Sequence, residues 1–242
     1  MAEKRRLLLL STSRIYGTEM LDFAANTVRE FLNKSKVKSV LFVPYASFDY
    51  IEYTNLVRDA FARNKLEFRV TGIHEMNDPK EAVRKAEAIY IGGGNTFLLL
   101  NTLYKVNIVE LIRNRVMKEG MPYIGSSAGT NVATVNICTT NDMPIIEVPT
   151  LNAISLVPFN INPHYLDPDP NSTHMGETRE QRIKEYQKMP TSYSVVGLRE
   201  GSLINVEGNK ALLIGKPKAR IFFKEKDPVE YPEGSDLSFL LK

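Results

Sequence analysis

The chain has 242 residues, a net charge of +3 with 31 basic and 28 acidic side chains, and one cysteine, Cys138. That length fits a single α/β domain over residues 1–242 whose buried surface is large enough to need no covalent staples. A lone cysteine excludes an intrachain disulfide framework and a multi-cysteine zinc site, which suits a reducing, cytoplasmic setting.

The one basic cluster, Lys4-Arg5-Arg6, opens onto the apolar run 7–10. That run is too short for a signal-peptide core or a membrane span and reads as a first buried strand. The charge is mild and not interleaved with aromatics, so neither nucleic acid nor a membrane is an expected partner. Further near-continuous apolar runs at 40–43, 68–70, 88–91 and 123–124 have the pattern of strands buried on both faces. Between them, 20–31, 53–61 and 108–116 repeat apolar residues at three- and four-residue spacing, as amphipathic helices do. The alternation predicts a doubly wound, mostly parallel sheet flanked by helices, with sites at the carboxyl ends of its strands. The last third differs. Short strand candidates at 194–198, 202–206, 211–214 and 220–223, separated by turns such as Glu207-Gly208-Asn209, read as a partly antiparallel terminal meander.

The most informative stretch is Gly125-Ser126-Ser127-Ala128-Gly129. An apolar run ending in Gly-x-Ser-x-Gly is the nucleophile-elbow pattern, in which a serine stands on a tight strand-to-helix turn. The spacing selects Ser127 over Ser126, because only Ser127 has glycine two residues to each side. Taken alone, the same five residues also fit a plain glycine-rich turn.

A nucleophilic serine needs a base, and histidine ionises near neutrality. Of three histidines, His74 follows the run through Val70 and reads as a strand-end residue, and His174 lies in a polar loop. His164, in Asn162-Pro163-His164-Tyr165, is the best candidate, since Asn-Pro sets a turn and the flanking residues hold the ring. The base needs a carboxylate to fix its tautomer. Asp142, between serine and histidine in the chain, and Glu200, beside a glycine turn after an apolar run, both qualify. Residue order alone leaves the two open. Gly92-Gly93-Gly94-Asn95-Thr96-Phe97 ends a strand and opens a helix; its bare N–H groups suit an oxyanion, joined by that of Ala128. It is neither a Walker loop nor a dinucleotide fingerprint, since no Gly-Lys-Ser/Thr follows and Phe97 stands where a third glycine would.

Together with Thr139-Thr140-Asn141-Asp142-Met143-Pro144 and Gly176-Glu177-Thr178-Arg179-Glu180-Gln181-Arg182, these motifs closely resemble the peptidase E family of α-aspartyl dipeptidases. The resemblance runs from about Leu7 to about Phe223. It implies a scaffold like that of class I glutamine amidotransferases, of flavodoxin-like type. It implies Ser127 as nucleophile, His164 as base, Glu200 as the favoured third member of the triad and Asp142 as the alternative. It further implies Gly94 and Ala128 as oxyanion donors, and Arg179 on a helix at 177–187 as the group that grips the substrate's aspartate side chain, with Asn95 also at the substrate. No metal or organic cofactor is expected, and the partners are small Asp-Xaa peptides, with a monomer or homodimer as the acting form. Two departures stand out. Ser126 replaces an aromatic residue common in the family and is expected to alter the pocket. Arg199 replaces a proline before the glutamate and is expected to bring an extra cation to the site. The competing expectations are a cyanophycinase-like enzyme for β-aspartyl bonds and a binding module that has lost the chemistry. The tail beyond Phe223 carries no evident role.

Overall fold

The computed structural model describes residues 4–173 and 175–242. In chain order the elements are β1 (Arg6–Leu10), α1 (Ala25–Lys34), β2 (Ser39–Val43), α2 (Tyr50–Arg63), β3 (Arg69–Gly72), α3 (Pro79–Lys85), β4 (Ile89–Ile91), α4 (Thr96–Lys105), α5 (Val109–Glu119), β5 (Tyr123–Ser126), α6 (Ala128–Val132), β6 (Asn160–Pro163), α7 (Arg179–Gln187), β7 (Val195–Leu198), β8 (Leu203–Glu207), β9 (Lys210–Ile214), β10 (Ala219–Phe222) and β11 (Val229–Tyr231). The chain is an α/β protein.

A seven-stranded sheet is ordered β3-β2-β4-β5-β1-β8-β9. Its first five strands are parallel, and β8 and β9 extend it antiparallel beside β1. The inner parallel strands β1, β2, β4 and β5 are apolar on both faces because helices cover both, whereas edge strand β3 exposes Arg69. Leu7, Leu9, Ile89, Ile91 and Tyr123 pack into one core layer, while Leu8, Leu10, Phe42, Tyr90 and Ile124 pack into the other. The helices start and stop where local chemistry dictates. The Asp49 side chain accepts from the Glu52 N–H to cap α2, and Gly120 at φ 79° closes α5, a left-handed stop that glycine adopts without a Cβ penalty. The periodic stretch 20–31 is not one helix. Leu21 at φ 65° interrupts it, and a 3-10 turn over Asp22–Ala24 precedes α1.

The terminal strands do not form one meander. A second sheet is ordered β11-β10-β7-β6, with β6 parallel to β7 and the other pairs antiparallel. Strands β8 and β9 instead join the first sheet, because Leu203 belongs to one core layer and Ile204 and Val206 to the other, so β8 must be covered on both faces. The tail beyond Phe223 supplies β11 and the 3-10 turn Ser238–Leu241, and it buries Leu237 and Leu240.

Register places the site. Leu10 pairs with Ser126, and Ile91 with Gly125. The ends of β1 and β4 therefore flank the end of β5. In the second sheet Pro163 pairs with Leu198, so the residues just past β6 and β7 emerge side by side.

Candidate active site

Ser127 stands alone between the end of β5 and the start of α6, at φ 51° and ψ −110°. Such a conformation is costly for a residue with a side chain and persists only where the surroundings impose it. The flanking glycines are required by contact. A Cβ on Gly125 would lie 2.6 Å from the Gly129 carbonyl oxygen, and one on Gly129 would overlap the carbonyl of Ile91. The turn is pinned on every side. The Ser127 N–H donates to Leu10 O at 3.2 Å. The Thr130 hydroxyl lies 2.7 Å from the Leu10 carbonyl and 2.9 Å from that of Gly125, and the Tyr123 hydroxyl donates to Gly129 O at 2.5 Å.

Ser126 points the other way. It is fully buried and shares a 3.1 Å hydrogen bond with the Tyr90 hydroxyl, whose pKa burial pushes up to about 12. Strand alternation sends its side chain into the sheet, so it does not line the mouth of the site, contrary to the expectation that it alters the pocket.

His164 follows β6 at φ 52°. Its N–H donates to Ser11 Oγ at 2.9 Å, and Ser11 Oγ donates to Leu198 O at 2.7 Å. Buried Ser11, just past β1, thus ties His164 to strand β7, which leads to Glu200. Asn162 and Pro163 are not a turn but the end of β6. Proline is tolerated there because β6 is an edge strand. Asn162 Nδ2 donates to Thr139 O at 2.8 Å, and Asn141 Nδ2 to Pro163 O at 2.7 Å, which fix this strand end. Beyond it the imidazole Nε2 lies 2.9 Å from Ser127 Oγ, and Nδ1 lies 2.6 Å from Glu200 Oε1. With the ring proton on Nδ1, His164 donates to Glu200 and accepts from Ser127. The His164 and Glu200 side chains are 37% and 46% exposed, so solvent reaches the pair.

Asp142 is elsewhere. Its Oδ2 accepts from the Thr96 N–H at 2.8 Å, from Thr96 Oγ1 at 2.5 Å and from Thr140 Oγ1 at 3.1 Å. It therefore satisfies the start of α4 and the positive end of that helix's dipole, and forms no hydrogen bond with His164. Asn95 is likewise occupied: its Oδ1 accepts from the Leu98 N–H at 3.0 Å and its Nδ2 donates to Met143 O at 2.9 Å. Its Oδ1 thus caps α4 and its Nδ2 ties that cap to the segment at Met143.

The glycine loop reaches over Ser127. A Cβ on Gly93 would come 3.0 Å from Ser127 Cβ, and one on Gly94 (φ 127°) would overlap the Ala46 carbonyl. Among the described residues the N–H groups of Gly94 and Ala128 have no acceptor, and Ala128 directly follows Ser127.

Arg179 opens α7 behind a capping box in which Thr178 Oγ1 accepts from the Gln181 N–H and Gln181 Oε1 from the Thr178 N–H. Among the described residues its guanidinium makes no hydrogen bond or ion pair. Burial and repulsion from Arg182 lower its pKa, against the pull of Asp142.

Arg199 is not a free cation near the chemistry. It forms paired bonds to Asp167 at 2.7 and 2.6 Å and to Glu230 at 2.9 and 2.9 Å, and donates to Lys218 O at 2.6 Å. Two carboxylates neutralise it. His74 sits in the 3-10 turn Ile73–Glu75, its ring 5.8 Å from that of Tyr50, without a bond to Ser127. His174 lies outside the described residues. Among the described residues no group of three or more histidine, cysteine, aspartate or glutamate side chains is placed to hold a metal ion, and no helix is long and apolar enough to cross a membrane.

Sequence reasoning passed over Ser11 and Glu230. Ser11 follows the first apolar run at the end where sites form, a signal that pointed to it. Glu230 sits in a charged tail without any.

Residues 7–214 match the model of Peptidase family S51. A Drosophila melanogaster protein named "Probable alpha-aspartyl dipeptidase" is 48% identical over 245 aligned positions, covering 100% of both chains. "Peptidase E" of Streptomyces coelicolor is 48% identical over 235 positions, covering 97% of this chain and 94% of its own. The crystal structure of a peptidase from an acI-B1 Actinobacterium shares the fold, with a TM-score of 0.69 at 17% identity over 98% of each chain.

Proposed function

The chain belongs to Peptidase family S51, and from that premise we propose that it hydrolyses dipeptides with a free N-terminal L-aspartate through an acyl-enzyme on Ser127. The observation that carries this reading is the continuous line Ser127 Oγ–His164 Nε2, 2.9 Å, and His164 Nδ1–Glu200 Oε1, 2.6 Å, on a strained elbow, with the N–H groups of Gly94 and Ala128 lacking an acceptor among the described residues.

His164 takes the hydroxyl proton as Ser127 Oγ bonds to the scissile carbonyl carbon. The developing oxyanion lies against the N–H groups of Gly94 and Ala128, each such donor contributing about 2.7–4 kcal/mol to the transition state. Glu200 holds the imidazole's orientation and stabilises the imidazolium without taking its proton. The tetrahedral intermediate collapses, the C–N bond breaks, and His164 passes its proton to the leaving amine. Water, deprotonated in turn by His164, then cleaves the aspartyl ester and restores Ser127.

Substrate choice rests on Arg179, a partly buried cation that makes no hydrogen bond or ion pair among the described residues, although Asp142 attracts it. A guanidinium in that state binds a planar carboxylate through two parallel hydrogen bonds. The Drosophila melanogaster relative named a probable alpha-aspartyl dipeptidase supports an aspartyl substrate. We take residues 1–242 as one peptidase domain acting in the cytoplasm as a monomer or homodimer.

The test compares wild type, Ser127→Ala and Arg179→Met on Asp-Leu, Glu-Leu, Ala-Leu and β-aspartyl-leucine. Ser127→Ala loses all hydrolysis. Arg179→Met loses Asp-Leu selectively, by about two orders of magnitude or more in kcat/KM, as expected when a site built to pair a charge is left without it. Equal losses on every dipeptide would make Arg179 architectural, and preference for the β-linked substrate would overturn the α-aspartyl assignment.

A further inference from the structure

A ribbon of alternating charges runs across the second sheet. It begins at Asp167, three residues after His164. Asp167 pairs with Arg199, the residue before Glu200, at 2.6 Å. Arg199 pairs with Glu230 on β11 at 2.9 Å, Glu230 with Arg220 on β10 at 3.1 Å, and Arg220 with Glu180 at 3.0 Å. Glu180 is the residue after Arg179 and pairs onward with Lys184 at 2.7 Å. The ribbon therefore starts beside the His164–Glu200 pair and ends beside the arginine assigned to the substrate.

Among the described residues Glu230 is the side chain that bonds both Arg199 and Arg220, across strands β7 and β10 that also pair through their backbones. Its Oε1 accepts from both Arg199 Nη2 and Arg220 Nη1, and its Oε2 accepts from Arg199 Nη1. Each end has its own closure without it. Arg199 keeps Asp167, the Lys218 carbonyl and a cation–π contact 5.4 Å from the Tyr165 ring. Arg220 keeps Glu180, and its guanidinium stands 5.9 Å from the Phe222 ring. Arg199 is 18% exposed and Arg220 25%, so these bonds are partly withdrawn from solvent, where networks of ion pairs hold geometry better than isolated surface pairs. Glu230 and Arg220 both lie beyond residue 214, where the family match ends.

We propose that Glu230 is a positioning residue: by clasping Arg199 and Arg220 together it sets the distance between the His164–Glu200 pair and Arg179, and so matches the catalytic half of the site to the carboxylate-binding half. The inference rests on the assignment of Arg179 to the substrate. It assigns the C-terminal strand β11 a part in substrate recognition without contact to the substrate. A small misplacement of a binding group relative to the reacting atoms is enough to lower turnover of the correct substrate.

The test separates the halves. Ser127 is labelled with diisopropyl fluorophosphate, which carries no carboxylate and depends only on the elbow, His164 and Glu200; its labelling rate is followed by intact-protein mass. Hydrolysis of Asp-Leu, expressed per labelled site, depends on both halves. For Glu230→Gln, which keeps shape but removes the anion, we expect labelling within about twofold of wild type and KM for Asp-Leu raised about tenfold. Glu230→Asp, whose shorter arm reaches one guanidinium, is expected to fall between, and it carries the test if Glu230→Gln does not fold. An unchanged KM in a folded variant overturns the inference alone. Parallel loss of labelling and hydrolysis overturns it too, by making Glu230 a general prop. A wild type that labels at Ser127 and leaves Asp-Leu intact removes the substrate assignment and the inference with it.

Discussion

Ser127 and His164 face each other at 2.9 Å while both hold left-handed backbone angles, φ 51° and φ 52°. Neither is glycine, and each is forced into that region by bonds from its neighbours. Strain in both partners means that contacts some residues away control the geometry between them.

The glycines around the elbow test this directly. Gly129→Ala would push a methyl group into the Ile91 carbonyl, and Gly125→Ala into that of Gly129. Each is expected to destabilise the fold by about 1–3 kcal/mol or more and to abolish Ser127 labelling in whatever protein folds. Thermal unfolding together with the labelling assay reads both. Wild-type stability and labelling in Gly129→Ala would mean the backbone is less constrained than its contacts require.

Glu200 and Asp142 make different bonds and should fail differently. Glu200→Gln replaces the carboxylate 2.6 Å from Nδ1, and kcat should drop by about two to four orders of magnitude. Asp142→Asn removes charge from the start of α4, and stability should fall by about 0.5–2 kcal/mol with a far smaller change in kcat. Steady-state kinetics beside denaturant unfolding distinguishes them, and the reverse ranking of kcat losses would exchange their roles.

Ser11→Ala removes the hydroxyl that accepts from the His164 N–H and donates to Leu198 O. Because the site is buried, the unpaired groups should cost about 1–3 kcal/mol. Turnover should fall with KM little changed, since His164 is displaced and Arg179 is not. Kinetics of the folded variant on Asp-Leu checks this; an unaltered kcat would show that the β6 end holds His164 without help.

Acid should weaken the charge ribbon. Hydrogen bonds from Arg199 hold the Asp167 and Glu230 carboxyls below their usual range, and Lys184 and Arg220 do so for Glu180 against its burial. A carboxylate whose folded pKa is depressed adds stability above its unfolded value, about 3.9 for aspartate and 4.3 for glutamate, and that stability disappears as pH falls through the lower folded value. The gap in melting temperature between wild type and an Arg199→Met, Arg220→Met variant should therefore be full near neutrality and shrink below about pH 4. A gap that stays constant down to about pH 3 would show that these pairs add packing and not charge.

Much of this protein is written in short-range pattern. Both-faces-apolar runs produce the parallel strands. Gly125, Ser127 and Gly129 produce the elbow, because a bend that tight is a matter of three neighbouring residues and the room they occupy. The triple glycine before α4 and the cap at Thr178 are local in the same sense. Other features belong to the assembled chain alone. Residue order could not choose between Asp142 and Glu200, because the choice depends on the parallel pairing of β6 with β7, which carries Glu200 to His164, and on the packing that brings Asp142 to α4. Nor could it foresee that Arg199 is neutralised, that Ser126 is turned inward, or that Glu230 closes a bridge between distant segments. Backbone bends act over a few residues and can be read in order; charge pairing and hydrogen-bond partners act through space, and only the folded chain decides which groups meet.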